Sequence, residues 1–506
     1  DCVYNDTGSS VTVSGLSAGN IYRFAIVDYA GNPGSEEYFT ATGAQNPVNS
    51  PVLSAPPAVL SITPANNTRL AEPNTTITVT FNTTVLRDSI NQRTFRVYGS
   101  QTGWHTGEFS FSNGDSVVAF TSNAIFKRGE AVNYTLTNNI VNTGGQSLPL
   151  SLGYTFIIKG NDAAGTFTYT GLTYTENNPQ GLFTADFDND GDLDIATGNR
   201  GAGSVNILKN NGSGAFNLTQ YIYPGDQAAY ITGADFNNDG DIDLAVVLIG
   251  EAKVGILTNN GGGNFTLGQL VATASMPHNI TVGDFTGDGI PDLGVAHWGG
   301  EAMSILGNNG SGSFSVHSEL TGIGVTGAIC AGDFDGDGDI DIATSHYFES
   351  AVRVHLNNGS GFFTTYGYYG NIANPYILNS GDLNGDGFLD IAIAAIGENI
   401  VAVLMNNGSA LFSISKVGAG PGTHGVSIGD IRGNGIADII AANISGNSAS
   451  ILNNNGSGSF TSATENFSFG TFLPVIADFN NDGRLDYVML SHTESAVYTF
   501  INDAPG

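Results

Sequence analysis

Short segments in which apolar and polar residues alternate occur along most of the chain. Alternation with a period of about two is typical of β-strands that bury one face. Between residues 58 and 159 this pattern predicts seven short strands, which fall at residues 62–64, 77–81, 94–98, 107–111, 117–120, 134–136 and 154–158. Seven strands at this spacing predict an immunoglobulin-like β-sandwich.

The first 45 residues carry the same alternation over a shorter stretch. In residues 11–28 the spacing of Leu16, Gly19 and Tyr22 resembles the tyrosine corner of fibronectin type III domains. We therefore predict a partial fibronectin type III-like segment over residues 1–45, and a linker rich in Pro, Ser and Asn over residues 46–57. The alternative is a free hairpin arm, although an isolated hairpin is only marginally stable in water.

From residue 161 to the end, four short strands recur about every 49 residues. In the first unit they are residues 182–187, 193–197, 204–208 and 215–219, with an Asn-Asn-Gly turn at Asn210. Four strands per unit predict a propeller blade. The last unit stops before its fourth strand, and a spare strand precedes the first unit at residues 165–174. We expect this strand to complete the last unit and to close a seven-bladed ring without open edges.

Each unit contains an acidic loop after its first strand. In the first unit the loop carries Asp186, Asp188, Asp190 and Asp194 around Gly191. The loops begin at Asp186, Asp235, Asp284, Asp333, Asp382, Asp430 and Asp478, so successive starts differ by 49, 49, 49, 49, 48 and 48 residues. Such a period is the signature of a repeat architecture. Because carboxylates this close repel one another, and because Ca²⁺ prefers about six to eight oxygen ligands, the loops predict structural calcium sites. The alternative is a metal-free turn rich in Asp and Asn.

These loops resemble the FG-GAP or VCBS repeat, whose fold is the seven-bladed β-propeller of integrin α subunits. In that family the side chains at loop positions 1, 3, 5 and 9 and the backbone carbonyl at position 7 bind Ca²⁺. The resemblance implies the following ligands, with the fourth of each set acting through its carbonyl: Asp186, Asp188, Asp190, Asp192 and Asp194; Asp235, Asn237, Asp239, Asp241 and Asp243; Asp333, Asp335, Asp337, Asp339 and Asp341; Asp382, Asn384, Asp386, Phe388 and Asp390; Asp478, Asn480, Asp482, Arg484 and Asp486.

Two loops depart from the pattern. The third carries Thr286 at position 3, so the set Asp284, Thr286, Asp288, Ile290 and Asp292 implies a weaker site. The sixth carries Arg432 at that position and keeps two carboxylates, Asp430 and Asp438. We expect the Arg432 guanidinium to replace the metal by pairing with one of them. About five or six calcium ions are therefore expected.

Composition narrows the class of protein. The formal net charge is −31, and the 15 Lys and Arg residues form no basic patch, which argues against nucleic-acid binding. Cys2 and Cys330 form no disulfide framework, and we predict that Cys330 is a buried free thiol. No apolar run is long enough to span a membrane.

Residues 58–159 also resemble the bacterial Ig-like family of surface proteins, and no residues in this segment suggest catalysis or ligand binding. We expect a secreted or cell-surface protein, since calcium is abundant outside the cell.

The connections at the other end of the units vary more than the acidic loops. They carry aromatic and histidine side chains, of which His297, Trp298, His346 and Tyr347 are candidate ligand-binding residues. No catalytic arrangement is recognisable, so we do not predict an enzyme. The favoured function is an adhesive or scaffold protein that binds a surface protein, a glycan or neighbouring copies of itself. The alternatives are a lectin-type carbohydrate-binding module and, less favoured, a polysaccharide-active surface enzyme.

Overall fold

The computed structural model describes residues 29–30, 37–38, 55–149 and 151–505. The predicted fibronectin type III-like segment and most of the linker lie outside these residues, except for two antiparallel strands, β1 (Tyr29–Ala30) and β2 (Glu37–Tyr38). The described residues contain no α-helix, only 3₁₀ turns at Arg87–Ser89 and Ile249–Glu251. Among them, no helix has the length and apolar character needed to cross a membrane. The described chain is therefore all-β.

The N-terminal domain is a sandwich of two four-stranded sheets, ordered β3-β4-β8-β7 and β10-β9-β5-β6. Its strands are β3 (Val59–Thr63), β4 (Ile77–Phe81), β5 (Phe95–Gly99), β6 (Gly103–Trp104), β7 (Gly107–Ser112), β8 (Val117–Ser122), β9 (Ala131–Leu136) and β10 (Leu152–Ile157). Alternate residues of each sheet enter one core, where the rings of Phe95 and Phe120 lie 5.8 Å apart. The period-two pattern therefore predicted this sandwich, and β6 is the one strand it missed.

The rest of the described chain forms seven further four-stranded antiparallel sheets. Six of them use consecutive strands: β12 (Pro179–Ala185), β13 (Asp194–Asn199), β14 (Ser204–Asn210) and β15 (Phe216–Ile222); β16 (Ala228–Ala234), β17 (Asp243–Leu248), β18 (Lys253–Asn259) and β19 (Phe265–Ala272); β20 (Pro277–Gly283), β21 (Asp292–His297), β22 (Ala302–Asn308) and β23 (Phe314–Thr321); β24 (Ile329–Gly332), β25 (Asp341–His346), β26 (Ala351–Asn357) and β27 (Phe363–Gly370); β28 (Pro375–Gly381), β29 (Asp390–Ala395), β30 (Ile400–Asn406) and β31 (Phe412–Gly418); β32 (Thr423–Gly429), β33 (Asp438–Asn443), β34 (Ser448–Asn454) and β35 (Phe460–Asn466).

The seventh sheet joins the two ends of the repeat region. It contains β36 (Leu473–Ala477), β37 (Asp486–Ser491), β38 (Ala496–Asn502) and the early strand β11 (Phe167–Tyr174). β11 runs antiparallel to β38, with Phe167 opposite Asn502 and Tyr174 opposite Ala496. The first strands of the sheets contact one another in chain order, from β12 to β36, and β36 contacts β12 again.

Burial along a sheet explains the sequence pattern of each unit. Every residue of the second strands is buried, for example throughout β13 and β29, since these strands are covered on both faces. Such strands read as continuous apolar runs. The fourth strands lie at the outer edge and are mostly exposed or half-buried, with alternation in β15 and long exposed stretches in β31 and β35. Cys330 lies in β24 as a buried free thiol, as predicted.

Candidate functional site

The acidic loops lie where the first strand of each repeat sheet ends and the second begins. In the first unit β12 ends at Ala185, and Asp194 at loop position 9 is already the first residue of β13. Positions 4 and 6 are Asn or Gly in every loop and take the left-handed conformation, as Asn189 (φ 61°) and Gly191 (φ 92°) do. These residue types accept positive φ readily. The left-handed residues fold the loop back on itself and turn its carboxylates inward.

Backbone N–H groups hold the inward carboxylates in place. In the first loop Asp186 accepts from the N–H groups of Asp190 (3.1 Å) and Gly191 (2.8 Å). Asp194 accepts from the N–H of Asn210 at 2.8 Å. The same bond to the position 9 carboxylate recurs in all seven loops. The ligand oxygens are thus oriented by the chain itself.

Two loops bring three carboxylates close together. Oxygens of Asp186, Asp188 and Asp190 all lie within 4.8 Å of one another, and so do oxygens of Asp333, Asp335 and Asp341. In the described part of the chain these are the acidic groups that meet this distance. The other loops use Asn, Thr or, in the sixth loop, Arg at position 3, so fewer carboxylates are available there.

Burial and mutual repulsion make the loop carboxylates hard to ionise without a cation. Burial, reinforced by neighbouring carboxylates, raises the pKa of Asp194 to about 7 and the pKa values of Asp341 and Asp486 to about 8. At position 1 the same causes raise the pKa of Asp186 and of Asp333 to about 6. A divalent cation bound by these oxygens would remove the repulsion. An all-oxygen, mostly anionic donor set on a turn fits Ca²⁺.

The third loop retains three carboxylates. Thr286 stands at position 3, while Asp284, Asp288 and Asp292 remain. The pKa of Asp284 is raised to about 7 by burial and by the two neighbouring carboxylates. The loop keeps its acidic character, and the weaker cation site expected from Thr286 stays a prediction.

The sixth loop already contains a cation of its own. Arg432 Nε lies 3.0 Å from Asp438 Oδ2, and Arg432 Nη2 lies 2.7 Å from Asp438 Oδ1. Asp438 is fully buried, so the bidentate pair neutralises a carboxylate that water cannot reach. Of the two partners expected from the sequence, the structure selects Asp438. In the first loop Lys209 Nζ lies 2.9 Å from Asp188 Oδ2, but the remaining carboxylates there stay without a basic partner of this kind.

Seven buried asparagines tie the loops of neighbouring sheets together, and sequence reasoning missed this role. They are Asn210, Asn259, Asn308, Asn357, Asn406, Asn454 and Asn502. Each donates from Nδ2 to the position 8 carbonyl of its own loop and to the position 2 carbonyl of the preceding sheet's loop. Asn210 of the first sheet reaches Phe479 of the last at 2.8 Å. The available signal was a constant separation of 16 residues from the position 9 Asp.

The candidate ligand residues lie at the opposite end of the sheets. β21 begins in a loop at Asp292 and ends at His297, so Trp298 lies at the far end. His297 and His346 have no exposed surface, and their Nε2 atoms bond to Ser304 (2.8 Å) and Thr344 (2.9 Å). Neither histidine can touch a ligand in this conformation, since the second strands that carry them are covered on both faces. We therefore remove both from the candidate site.

Four aromatic side chains, one exposed and three half-buried, form a cluster at that end, which we call the aromatic patch. It consists of Trp298, Tyr347, Phe348 and Tyr376, and Trp298 lies 5.6, 5.5 and 6.1 Å from the other three rings. Phe348 is 67% exposed, which is unusual for so large an apolar side chain. Beneath the patch His424 packs 4.2 Å from Tyr376. The sequence pointed to Trp298 and Tyr347 but not to Phe348 or Tyr376.

Comparisons with known proteins agree with this architecture. The model of the FG-GAP-like repeat matches residues 186–246, 235–295, 284–344, 333–393, 382–441 and 430–489, which together span more than half of the chain. The model of the bacterial Ig-like domain matches residues 54–157. A search of curated proteins found no match.

Solved structures share the fold at low sequence identity. The crystal structure of BBS1N in complex with ARL6DN, soaked with lead, aligns at a TM-score of 0.51 and 11% identity, over 66% of this chain and 96% of that chain. The mercury-soaked crystal of the same complex gives a TM-score of 0.50 over the same shares at 11% identity. A protein from Lactobacillus plantarum aligns at 0.44 and 14% identity, over 74% of this chain and 96% of that chain. At this low identity, the first two alignments are evidence for a propeller-like fold but not for a shared function.

Proposed function

The chain belongs to the FG-GAP-like repeat family, and from that premise we propose that it is a calcium-stiffened, adhesion-type protein of a cell surface. Its bacterial Ig-like domain fits the same class. The observation that carries the proposal is the set of seven acidic loops, each held by backbone N–H groups and each tied by a buried asparagine to the loop before it. Nothing in this arrangement requires an enzymatic role.

We propose that the seven repeat sheets are the blades of one closed β-propeller. Two contacts between the first and the last sheet support closure: β36 contacts β12, and the asparagine of the first sheet bonds to the last loop. The shared sheet of β11 and β38 leaves neither terminal sheet incomplete. A ring of this kind has no open end at which further sheets would add.

Calcium would act in this ring as a structural cross-link. Bound Ca²⁺ supplies positive charge and fixed coordination to oxygens that otherwise repel one another. Positions 1, 3, 5 and 9 and the position 7 carbonyl of the first, second, third, fourth, fifth and seventh loops would hold it, while Arg432 serves the sixth. Each site would stabilise the folded chain by about 2.7 kcal/mol when the free calcium concentration is one hundred times the Kd of that site. Because calcium is plentiful outside the cell, this requirement supports a secreted or surface location.

Calcium stoichiometry and thermal melting test the calcium part of the proposal. Protein freed of metal by a chelator and then dialysed against calcium is expected to bind about five or six ions. Its melting temperature is expected to fall markedly in excess chelator. Full retention of the melting temperature, together with no bound calcium by elemental analysis, would reject the proposal.

The aromatic patch is the best candidate for the adhesive surface. It is aromatic, its Phe348 is exposed while the other three rings are half-buried, and the described part of the Ig-like domain lies at the other end. Contiguous exposed apolar side chains rimmed by polar residues mark interaction sites. The proposed partner is a surface protein, a glycan or a neighbouring copy of the chain. Binding there would not require insertion of the protein into a membrane. Binding of the wild type and of Trp298→Ala to immobilised matrix proteins would test this, and equal binding would exclude the patch.

A lectin-type function is the second candidate, and the aromatic patch is what favours it. Tryptophan and tyrosine rings stack on sugar rings while their polar atoms remain free to bond. A glycan array with the calcium-loaded protein distinguishes the two functions. Binding to defined glycans that is lost in Trp298→Ala would favour the lectin, and binding to proteins alone would favour the adhesive scaffold.

A further inference from the structure

The Ig-like domain lies on the loop end of the repeat sheets and touches the acidic loops directly. Lys127 donates to the carbonyl of Gly191 in the first loop and, at 2.7 Å, to Asn481 in the seventh. Arg96 donates to the carbonyl of Gly289 in the third loop and, at 2.6 Å, to Asn238 in the second. The domain therefore bridges loops of four different sheets with only two cationic side chains.

Further contacts extend the interface around the ring of loops. Asn67 Nδ2 donates to the carbonyl of Gly387 in the fifth loop at 2.9 Å. At the end of the Ig-like domain, Asn161 N donates to the carbonyl of Gly483 in the seventh loop at 2.7 Å. Trp104 Nε1 donates to Asp235 Oδ2 in the second loop at 2.6 Å.

These contacts use loop positions that a cation leaves free. The acceptors are the carbonyl at position 6 and the amide oxygen at position 4, both left-handed, as in Asn238 (φ 61°) and Gly289 (φ 83°). Positions 1, 3, 5 and 9 turn their side chains inward. Each loop thus has an inner side for oxygen ligands and an outer side for the Ig-like domain. Trp104 is an exception, because it donates to Asp235 at position 1. The Asp235 carboxylate has enough lone pairs to accept this hydrogen bond and to bind a cation at the same time.

Glycine at position 6 lets side chains of the domain approach two of the loops closely. A Cβ on Gly338 would lie 2.7 Å from Leu152, and one on Gly435 would lie 2.6 Å from Leu70. The loop conformation that gathers the carboxylates is therefore the one that seats the domain.

We propose that calcium binding to the loops and docking of the Ig-like domain are positively coupled, so that the ion locks the two parts of the chain together. This inference rests on the proposed calcium binding. An ion that fixes the inner side of a loop also fixes its outer side, and the coupling is reciprocal. Loops without an ion would relax under the repulsion of their carboxylates and would lose the arrangement of acceptors.

The hydrogen bonds and the charges of the interface act on the coupling in different ways. Arg96 and Lys127 bond to carbonyl and amide oxygens, so these bonds do not require uncompensated carboxylates. Three cations act against the coupling through their charge, because loop carboxylates would attract them more strongly without calcium. Arg69 lies near Asp382, Asp430 and Asp438, Arg96 near Asp235, Asp284 and Asp288, and Lys127 near Asp186 and Asp478. In the proposed coupling the conformational effect, spread over several loops, outweighs this attraction.

The first experiment measures calcium affinity by calorimetry in the full chain carrying Arg96→Ala and Lys127→Ala. Weaker docking is expected to lower the affinity by about fivefold or more. The matched control is Arg87→Ala with Arg93→Ala, which removes two exposed cations of the same domain that form no hydrogen bond or ion pair with the loops in the described structure. The control is expected to bind calcium as the wild type does. Unchanged or tighter binding in the first variant would overturn the coupling.

The second experiment needs no variant and uses small-angle scattering of the wild type. Calcium removal is expected to lengthen the particle and to speed tryptic cleavage after Lys159, at the end of the Ig-like domain. A protein that binds calcium but stays equally compact in chelator would overturn the coupling and leave the proposed function standing. A wild type that binds no calcium would overturn both.

Discussion

A single residue distinguishes the sixth loop from the others. Arg432 places a guanidinium against Asp438 at 2.7 Å, in a loop whose other carboxylate is Asp430. The pKa of Arg432 is raised, first by its hydrogen bonds to Asp438, so the guanidinium stays charged. A charged side chain inside the loop balances Asp438 without a metal ion. With calcium in the other loops, as proposed, the repeat would satisfy the same acidic turn in two chemical ways.

Arg432→Asp is expected to create one additional calcium site. The variant restores a carboxylate at position 3 beside Asp430, Asn434 and Asp438, the donor types of the other loops. Elemental analysis should find one more bound calcium per chain than in the wild type.

Arg432→Ala is the control for that variant, since it removes the guanidinium without adding a ligand. It should gain no ion and should lose about 1–3 kcal/mol of stability, because Asp438 stays buried without its hydrogen-bond partner. An unchanged calcium content in well-folded Arg432→Asp would contradict the interpretation of the loop.

At the scale of the sheets, the buried asparagines decide how one unit is attached to the next. Asn308 Nδ2 lies 2.8 Å from the Phe236 carbonyl of the preceding loop and 3.1 Å from the Pro291 carbonyl of its own. Asn308→Ala would leave both carbonyls without this donor. Denaturant unfolding should show a loss of about 1–3 kcal/mol.

The neighbouring residue provides a matched control. Asn309 is exposed and bonds only within its own turn, to Ser311 and Ser313. Asn309→Ala should therefore change the free energy of unfolding by about 0.5 kcal/mol or less. Equal effects of the two substitutions would mean that the bond between sheets contributes nothing.

Sequence reasoning succeeded where one pattern determined one feature. The repeat period located every sheet, and the missing strand of the last unit identified the partner of β38, because an unpaired edge is unfavourable. It failed where a contact joins residues far apart. The bond from Asn210 to Phe479 joins the first and last units: the constant 16-residue separation marks the asparagine but not its partner. The contact of Lys127 with Gly191 joins two domains and leaves no local pattern. His297 looked exposed because it adjoins Trp298, yet its own strand is buried on both faces.

The acidic loops also predict an unusual dependence of stability on pH. Burial and neighbouring carboxylates raise the pKa of Asp390 to about 7 and of Asp486 to about 8 in the folded, ion-free state, above the unfolded value of 3.8. Between these values the folded chain holds more protons than the unfolded chain, so stability falls as pH rises. In chelator, the melting temperature should therefore be lower at pH 8 than at pH 6.

Calcium should reverse this dependence. Binding requires the ionised carboxylates, so the ion competes with protons and binds more weakly at pH 6 than at pH 8. The melting temperature in saturating calcium is expected to stay level or to rise over the same interval. A melting temperature that rises with pH in chelator as well would show that the buried carboxylates are not the controlling groups.

At the scale of the whole molecule, the two ends of the repeat sheets have different tasks. The loop end carries the acidic turns and is occupied by the Ig-like domain through Arg96, Lys127 and Asn67. The other end presents the aromatic patch. Because the Ig-like domain of the same chain occupies the loop end of the repeat sheets, the opposite end remains accessible to a partner. This arrangement agrees with an adhesion-type protein.

The proposed closure of the ring depends on β11, and removal of this strand is the most direct test of the architecture. β11 covers the outer edge of β38, and its Phe167 ring lies 4.7 Å from Tyr487. We compare a chain of residues 165–506 with a chain of residues 176–506, both without the Ig-like domain. The longer chain should melt cooperatively as a monomer. The shorter chain should melt lower and associate in ultracentrifugation, since β38 then exposes an unpaired edge. A peptide of residues 165–175 added to the shorter chain should restore the monomer, whereas equal stability of the two chains without it would mean that the early strand does not close the ring.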